Sequence, residues 1–171
     1  MPTLFEPVLK LVSLETLAGF RGVLCHGCFD VLHPGHLEQL QQAAKLGRLV
    51  VSVTADAFVD KGPGRPVFPE YDRASMLAAL ECVCAVVINH AFDATPVINV
   101  VRPRFYVKGE EYRGVDDDPR LNRERMSVEN HGGQIIFLGR KGYSSTAIVE
   151  GRLLASRIKP RGVGEGEIGI E

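Results

Sequence analysis

The chain has 171 residues, of which 45% are hydrophobic and 24% charged, as expected for one soluble globular domain with a sizeable core. A formal net charge of −1 argues against a nucleic-acid binder, because such domains are usually clearly basic. No apolar run approaches the roughly 20 residues of a membrane span, and residues 1–10 lack the pattern of a signal peptide. We therefore expect a cytoplasmic protein that has neither nucleic acid nor a membrane as a partner.

Apolar runs alternate with amphipathic segments along the chain and predict five strands, at residues 22–25, 48–54, 83–89, 105–107 and 134–138. Helices are predicted over residues 11–20, 36–46, 70–81, 93–101, 123–130 and 147–157. Residues 113–122 are acidic and poor in apolar side chains, which predicts an exposed, flexible loop. The alternation indicates an α/β fold, a Rossmann-like doubly wound sheet of five mostly parallel strands flanked by helices. We expect one domain over residues 1–160 and a flexible tail over 161–171.

The stretch between the first predicted strand and the following helix carries two histidines, His33 and His36. Pro34 suits a first helical turn, so both imidazoles should lie beside free backbone N–H groups at the positive end of a helix. Such a place binds anions, and a bound polyanion would raise the pKa of nearby histidines. The alternatives are weaker: simple capping leaves the residues around Gly27 and Asp30 unexplained, and a metal pair lacks a nearby third ligand.

Other polar clusters follow later strands: Lys61 after the second, Lys108 to Glu110 after the fourth, and residues 144–146 after the fifth. In doubly wound sheets the carboxyl ends of the strands form the ligand crevice, so these clusters should converge there. The chain has no Walker loop, no nucleophile elbow and no dinucleotide fingerprint. A set of phosphate-binding groups without a general base suits attack of a phosphate on the α-phosphate of a nucleotide, since the attacking group is already anionic. The alternative for Lys61 is a lysine that simply faces solvent.

The four cysteines are Cys25, Cys28, Cys82 and Cys84. Cys25 and Cys28 have the spacing of half a zinc site. All four lie in or beside apolar stretches, however, which favours small buried side chains in a reducing compartment over a metal or a disulfide.

Gly27-Cys28-Phe29-Asp30 followed by His33-Pro34-Gly35-His36 resembles the GxFDxxHxGH signature of the cytidylyltransferase-like nucleotidyltransferases. Residues 62–67 with Arg73, residues 106–112 and residues 144–146 are similar to segments of one branch of that family, the heptose 1-phosphate adenylyltransferases. The resemblance covers nearly the whole chain, roughly from Val12 to Leu154. One departure is Glu111, at a place where the heptose enzymes usually carry an aspartate.

The resemblance implies roles for particular residues. His33, His36 and Lys61 would be catalytic, with the histidines stabilising the triphosphate in the transition state, and Arg65 and Arg73 would bind the substrate. The nucleotide and its phosphates would be bound by residues of four segments, namely Gly27, Cys28, Phe29, Asp30, Gly35, Lys108, Gly109, Glu110, Ser144, Ser145 and Thr146. Mg²⁺ would accompany the triphosphate, without a dedicated metal site in the protein.

The reaction implied is transfer of a nucleotidyl group from a nucleoside triphosphate, with ATP expected, to a sugar 1-phosphate of the heptose type, releasing pyrophosphate. One alternative is a cytidylyltransferase that uses CTP and glycerol 3-phosphate or another polyol phosphate. Such enzymes open their last motif with an arginine, and here Gly139 stands at that place with Arg140 one position away. A third reading is a nucleotide-binding module without catalysis. A homodimer is possible, because dimers are common in the family.

Overall fold

The computed structural model describes residues 10–139 and 142–151. In this part of the chain five strands form one parallel sheet: β1 (Val23–Gly27), β2 (Leu49–Thr54), β3 (Ala85–Asn89), β4 (Phe105–Gly109) and β5 (Gln134–Leu138). Their order across the sheet is β3-β2-β1-β4-β5. The direction of winding reverses between β1 and β4, so a crevice opens at the carboxyl ends of these two strands.

Within the described residues five helices cover the sheet: α1 (Pro34–Ala44), α2 (Glu70–Ala78), α3 (Thr95–Val101), α4 (Pro119–Asn130) and α5 (Ser145–Val149). Because successive side chains of a strand point to opposite faces, β1 feeds two cores. Val23 and Cys25 pack with residues of α1 and α2 on one face, whereas Leu24 packs with residues of α3 and α4 on the other. The predicted doubly wound α/β fold is confirmed. Because helices cover both faces of the sheet, its strands are almost continuously apolar.

The segment before β1 differs from the helix predicted over residues 11–20. Val12 donates its backbone N–H to the carbonyl of Val86 at 3.0 Å, and Leu11 forms a bridge with the same residue, so this part runs extended beside β3. Only a four-residue 3-10 turn, Leu14–Leu17, follows. Pairing with the edge of the sheet outweighs the local helical spacing of the leucines.

Helix α4 begins at Pro119, four residues earlier than predicted. A carboxylate oxygen of Asp118 accepts hydrogen bonds from the backbone N–H groups of Arg120 and Leu121, at 2.8 and 3.3 Å. Leu121 is fully buried. The prediction of an exposed loop over residues 113–122 is therefore wrong for its last four residues, since Asp118 and Pro119 form a standard N-cap and first helical position.

Other boundaries bear on the site. Strand β1 extends to Gly27, which makes His26 a strand residue, and α1 starts at Pro34 with His33 as its N-cap. Helix α5 is described over Ser145–Val149, and the rest of the helix predicted to residue 157 lies outside the described residues, as do the tail 161–171 and the predicted domain limit at 160. Within the part of the chain that the structure describes, no helix is long and apolar enough to cross a membrane.

Candidate active site

Two cavities lie side by side in the crevice at the carboxyl ends of β1 and β4. The α4 chamber, of about 300 Å³, is lined by residues of β1, β4 and α4, among them His26, Lys108 and Glu124. The α5 chamber, of about 530 Å³, is lined by the starts of α1 and α5. Five described residues line both chambers and form what we call the shared wall: His36, Gln39, Lys61, Gly109 and Glu111.

The two predicted catalytic histidines stack on each other at the start of α1. The ring centroids of His33 and His36 are 3.7 Å apart with planes inclined by 12°. The Nδ1 atom of His33 accepts the backbone N–H of His36 at 3.2 Å. Because Nδ1 is an acceptor, the proton of a neutral His33 ring sits on Nε2, where it can be donated to a ligand.

Tyr143 closes the other side of this stack, with its ring 5.8 Å from that of His33 and inclined by 21°. The close approach depends on Gly35. A Cβ atom there would lie 2.9 Å from the Cβ of Tyr143, closer than real Cβ atoms come, and 3.1 Å from Nδ1 of His33, which is tighter than most real contacts. The glycine between the two histidines is thus required by the packing of the histidine stack.

The surroundings of both histidines favour the neutral form of the ring. Burial is the largest cause, followed by the charge that His33 would carry if protonated and by the charge of Lys61, and together they lower the pKa of His36 to about 3. Burial also lowers the pKa of His33. A neutral imidazole donates one hydrogen bond, and a bound polyanion would act in the opposite direction by favouring the charged form.

Residues 27–29 turn the chain from β1 toward α1 and line the α4 chamber. Phe29 has a φ of +49°, a conformation that bulky side chains rarely adopt and that concentrates at functional sites. Its ring is buried and packs against His36, with centroids 5.1 Å apart. A Cβ at Gly27 would lie 3.2 Å from the Phe29 ring, so glycine gives this ring its space.

Asp30 and Arg65, predicted to bind nucleotide and substrate, pair with each other instead. The Asp30 carboxylate is fully buried, contacts the Arg65 guanidinium and accepts the backbone N–H of Val67 at 2.5 Å. Neither residue lines either chamber. The aspartate of the signature therefore holds the loop after Lys61 in place, and its charge is satisfied within the protein.

Arg73, the second predicted substrate-binding arginine, lies fully buried in α2 beneath the turn at residues 27–29. It donates to the carbonyl of Cys28 at 2.5 Å and to that of Phe68 at 2.9 Å, and it forms an ion pair with Asp56 at 2.6 Å. It faces neither chamber. In this structure Arg73 braces the turn, because its three nitrogens already have partners.

Ser144, Ser145 and Thr146 all line the α5 chamber at the start of α5. The Ser144 hydroxyl accepts the backbone N–H of Ala147 at 3.3 Å, as an N-cap does. The Ser145 hydroxyl donates to the carbonyl of Val31 at 3.0 Å. This bond ties the start of α5 to the loop that precedes α1, so the two helix starts face one chamber.

The three nucleotide-binding residues predicted at the end of β4 lie in three different places. Gly109 lies in the shared wall, whereas Lys108 lies in the α4 chamber, away from residues 144–146. Glu110 turns outward to Arg113, with an oxygen–nitrogen distance of 2.5 Å, and lines neither chamber. The neighbouring carboxylate, that of Glu111, lies in the shared wall.

Sequence reasoning missed several lining residues. Gln39 follows His36 by one helical turn, so its spacing could have placed it on the same face. Tyr143 directly precedes the hydroxyl cluster. His26, Thr54 and Glu124 lie on three different elements, and only the fold brings them together in the α4 chamber.

A five-stranded parallel sheet with a crevice at its switch point is the doubly wound α/β architecture, in which ligands bind at the carboxyl ends of the strands. Residues 24–151 match the family model described as cytidylyltransferase-like. The chain belongs to this family, as the signature at residues 27–36 predicted.

The relatives include proteins named bifunctional protein HldE. That of Syntrophotalea carbinolica is 36% identical over 149 residues, covering 85% of this chain and 29% of its own length. That of Helicobacter pylori strain P12 is 38% identical over 147 residues, covering 84% and 30%. The chain thus spans about 30% of the length of these relatives.

Two solved structures share the fold. The lipopolysaccharide core biosynthesis protein from Thermoplasma volcanium aligns with a TM-score of 0.55 and 25% identity, over 71% of this chain and 97% of that one. A pantoate-beta-alanine ligase from Francisella tularensis aligns with a TM-score of 0.51 over 78% of this chain and 67% of that one. At 13% identity the second likeness concerns the fold alone.

Proposed function

We propose that the protein is a nucleotidyltransferase that joins the nucleotidyl group of ATP to a sugar 1-phosphate of the heptose type and releases pyrophosphate. The observation that carries this proposal is the pair of chambers that meet at the shared wall. A transfer between two phosphorylated molecules needs two adjoining sites with hydrogen-bond donors where they meet. Here the wall supplies His36 and Lys61, and His33 stands directly beside it.

The nucleotide occupies the α5 chamber in this proposal. The starts of two helices and the hydroxyls of residues 144–146 surround it, and helix N-termini favour phosphate groups. The acceptor occupies the α4 chamber. An oxygen of its phosphate attacks the α-phosphorus at the shared wall, and the bond from the α-phosphorus to the bridging oxygen breaks as pyrophosphate leaves. No proton transfer is required.

The protein's own contribution is alignment and charge stabilisation. The Nε2–H group of His33 donates to the triphosphate, and its orientation is fixed by the bond from the His36 backbone to Nδ1. The ammonium of Lys61 counters the charge that two phosphates bring together. Both groups act through hydrogen bonds that strengthen as charge develops on the phosphate oxygens in the transition state.

Mg²⁺ fits this arrangement as a companion of the triphosphate. Among the described residues, no group of three histidine, cysteine or acidic side chains is placed to hold a metal. Protein-bound Mg²⁺ commonly takes one or two carboxylates together with substrate phosphates, and Glu111 is the only acidic residue among the described members of the shared wall. When bound with the nucleotide, the ion neutralises phosphate charge.

Two observations support a sugar phosphate as the acceptor and ATP as the donor. The segments at residues 62–67, 106–112 and 144–146 are similar to those of heptose 1-phosphate adenylyltransferases. The Thermoplasma volcanium protein that shares the fold is a lipopolysaccharide core biosynthesis protein, which supports a sugar as the body of the acceptor.

Substitution of His33 by alanine separates an enzyme from a nucleotide-binding module. We expect His33→Ala to lower the rate of pyrophosphate release by about 100-fold or more, the size of effect that removal of a preorganised donor produces. Nucleotide affinity, measured by calorimetry, should fall only modestly. Equal losses in turnover and in nucleotide binding would favour the binding module.

A further inference from the structure

The α4 chamber extends beyond the groups that phosphate transfer requires. Away from the shared wall it ends in a set of polar side chains that we call the polar floor: His26, Thr54, Lys108 and Glu124. Thr54, Lys108 and Glu124 are each at least nine-tenths buried. Buried polar groups are costly unless they are hydrogen-bonded, so their hydrogen-bond capacity indicates what the chamber binds.

An ion pair between Lys108 and Glu124 dominates the polar floor. The two side chains are 3.1 Å apart, and the other carboxylate oxygen of Glu124 accepts the backbone N–H of Ala94 at 2.9 Å. Within the described part of the chain this ion pair is the one hydrogen bond of the Lys108 ammonium, whose other near neighbours are the rings of Tyr106 and Tyr112. An ammonium has three donors, which leaves Lys108 with unused capacity beside the chamber.

The rest of the polar floor is neutral. Nδ1 of His26 lies 3.0 Å from the Ser52 hydroxyl, and its Nε2 lies 3.5 Å from the Thr54 hydroxyl, a long contact that leaves room for a better partner. Burial and the charge of Lys108 lower the pKa of His26 to about 4, so the ring is uncharged at pH 7. One cation and one anion therefore cancel, and the floor offers little attraction to a phosphate. It suits groups that both donate and accept, namely hydroxyls.

An aromatic pair also lines the α4 chamber. Phe58 and Phe92 meet edge to face with ring centroids 5.0 Å apart, and Phe92 is 59% exposed. An exposed aromatic ring beside convergent polar groups is the usual composition of a small-molecule site. Polyhydroxylated rings combine hydroxyls at their edges with an apolar face of C–H groups, and they match this combination of surfaces.

We propose that the α4 chamber is a subsite for the polyhydroxylated body of the acceptor. Lys108, Glu124 and Thr54 hydrogen-bond its hydroxyls, and Phe92 packs against its carbon face. The acceptor's phosphate then points away from the polar floor toward Lys61 in the shared wall. This inference rests on the proposed function, and it makes Glu124 and Phe92 specificity-determining residues that act on the acceptor and leave the nucleotide untouched.

The test compares Phe92→Ala with Tyr71→Ala, because Tyr71 is a similarly exposed aromatic, at 63%, that lines neither chamber. Steady-state kinetics with heptose 1-phosphate should show a KM about tenfold higher in Phe92→Ala, the order expected for losing one aromatic contact, and no change in Tyr71→Ala. The KM for ATP should be unchanged in both.

Glu124→Gln is the second variant. It keeps an oxygen for the Ala94 N–H but removes the charge, so we expect the KM for heptose 1-phosphate to rise by about 10- to 100-fold, the effect of losing a charge-assisted hydrogen bond. Its fold is checked by its affinity for ATP, which should match that of the unchanged protein. A KM for the acceptor that stays the same in Phe92→Ala and in folded Glu124→Gln would overturn the subsite and leave the proposed function standing.

Failure of the proposed function is recognised separately. If the unchanged protein releases no pyrophosphate with any sugar 1-phosphate, the subsite is judged from binding of heptose 1-phosphate by ligand-observed NMR. Binding that is lost in Phe92→Ala and kept in Tyr71→Ala would support the subsite. Absence of binding, or equal binding by both variants, would overturn it.

Discussion

Arg73 is predicted from the sequence to bind the substrate, whereas its contacts in the structure are those of a structural brace. A substitution distinguishes the two roles. The Arg73 guanidinium joins three segments: the turn after β1 through Cys28, the loop before α2 through Phe68, and the segment after β2 through Asp56. Replacement by methionine keeps much of the volume and removes every one of these bonds. The turn that places Phe29 against His36 then loses its support.

The size of the effect follows from burial. Removing one partner of a buried charged pair costs about 3–5 kcal/mol. The Asp56 side chain is 42% exposed and can regain water, which favours the lower end of that range. For a chain of this length each kcal/mol lowers the melting temperature by about 2–4 °C, so Arg73→Met should melt about 6–12 °C lower.

Thermal unfolding followed by circular dichroism measures the change, and Arg48→Met is the matched control. Arg48 is exposed, and among the described residues the one interaction of its guanidinium is with the Phe20 ring, so loss of this side chain should cost less than about 0.5 kcal/mol. Unchanged stability of Arg73→Met together with a raised KM for the phosphorylated acceptor would refute the brace and restore Arg73 as a substrate contact.

Two further predictions concern the histidines. Gly35→Ala forces a Cβ to within 2.9 Å of Tyr143 and displaces His33, so the turnover number should fall by about 100-fold, and an unchanged turnover in steady-state kinetics would contradict the packing argument. Burial lowers the pKa of His26 to about 4 and of His36 to about 3, so the unfolded chain binds protons that the folded chain does not. Above about pH 6.5 both rings are neutral in the folded and the unfolded chain, and as the pH drops from there toward 4, proton binding by the unfolded chain lowers the free energy of unfolding. Urea unfolding should therefore give about 1–2 kcal/mol less stability per histidine at pH 5 than at pH 7, and equal free energies of unfolding at the two pH values would be the contrary result.

The fold was largely predictable because its signals are local. Buried strands and the turn at Pro34 each depend on a few neighbouring residues, and the alternation of strands and helices leaves few possible topologies. The leading helix failed because Val12 pairs with β3, a partner more than 70 residues away. The start of α4 was missed although Asp118 and Pro119 carry an N-cap signal, because the acidic composition around them outweighed it.

The site was predictable in part for the same reason. His33, His36 and Gly35 fall within one helical turn, so their common position follows from the sequence. The pairing of charged residues from distant segments does not follow from the sequence. Nothing in it indicates that Arg73 forms an ion pair with Asp56, or Asp30 with a loop arginine. The polar floor could not be predicted from the sequence, because its members come from separate strands and a helix that meet only in the folded protein.

Pyrophosphate release tests the central claim most directly. ATP and CTP, each with Mg²⁺, are crossed with heptose 1-phosphate and glycerol 3-phosphate, and His33→Ala is run beside the unchanged protein. Release with ATP and heptose 1-phosphate alone, lost in the variant, is the predicted result. Release only with CTP would retain the two-chamber chemistry and overturn the substrates. No release in any combination, from folded protein that binds a nucleotide, would contradict the assignment of the two chambers to ATP and these acceptors.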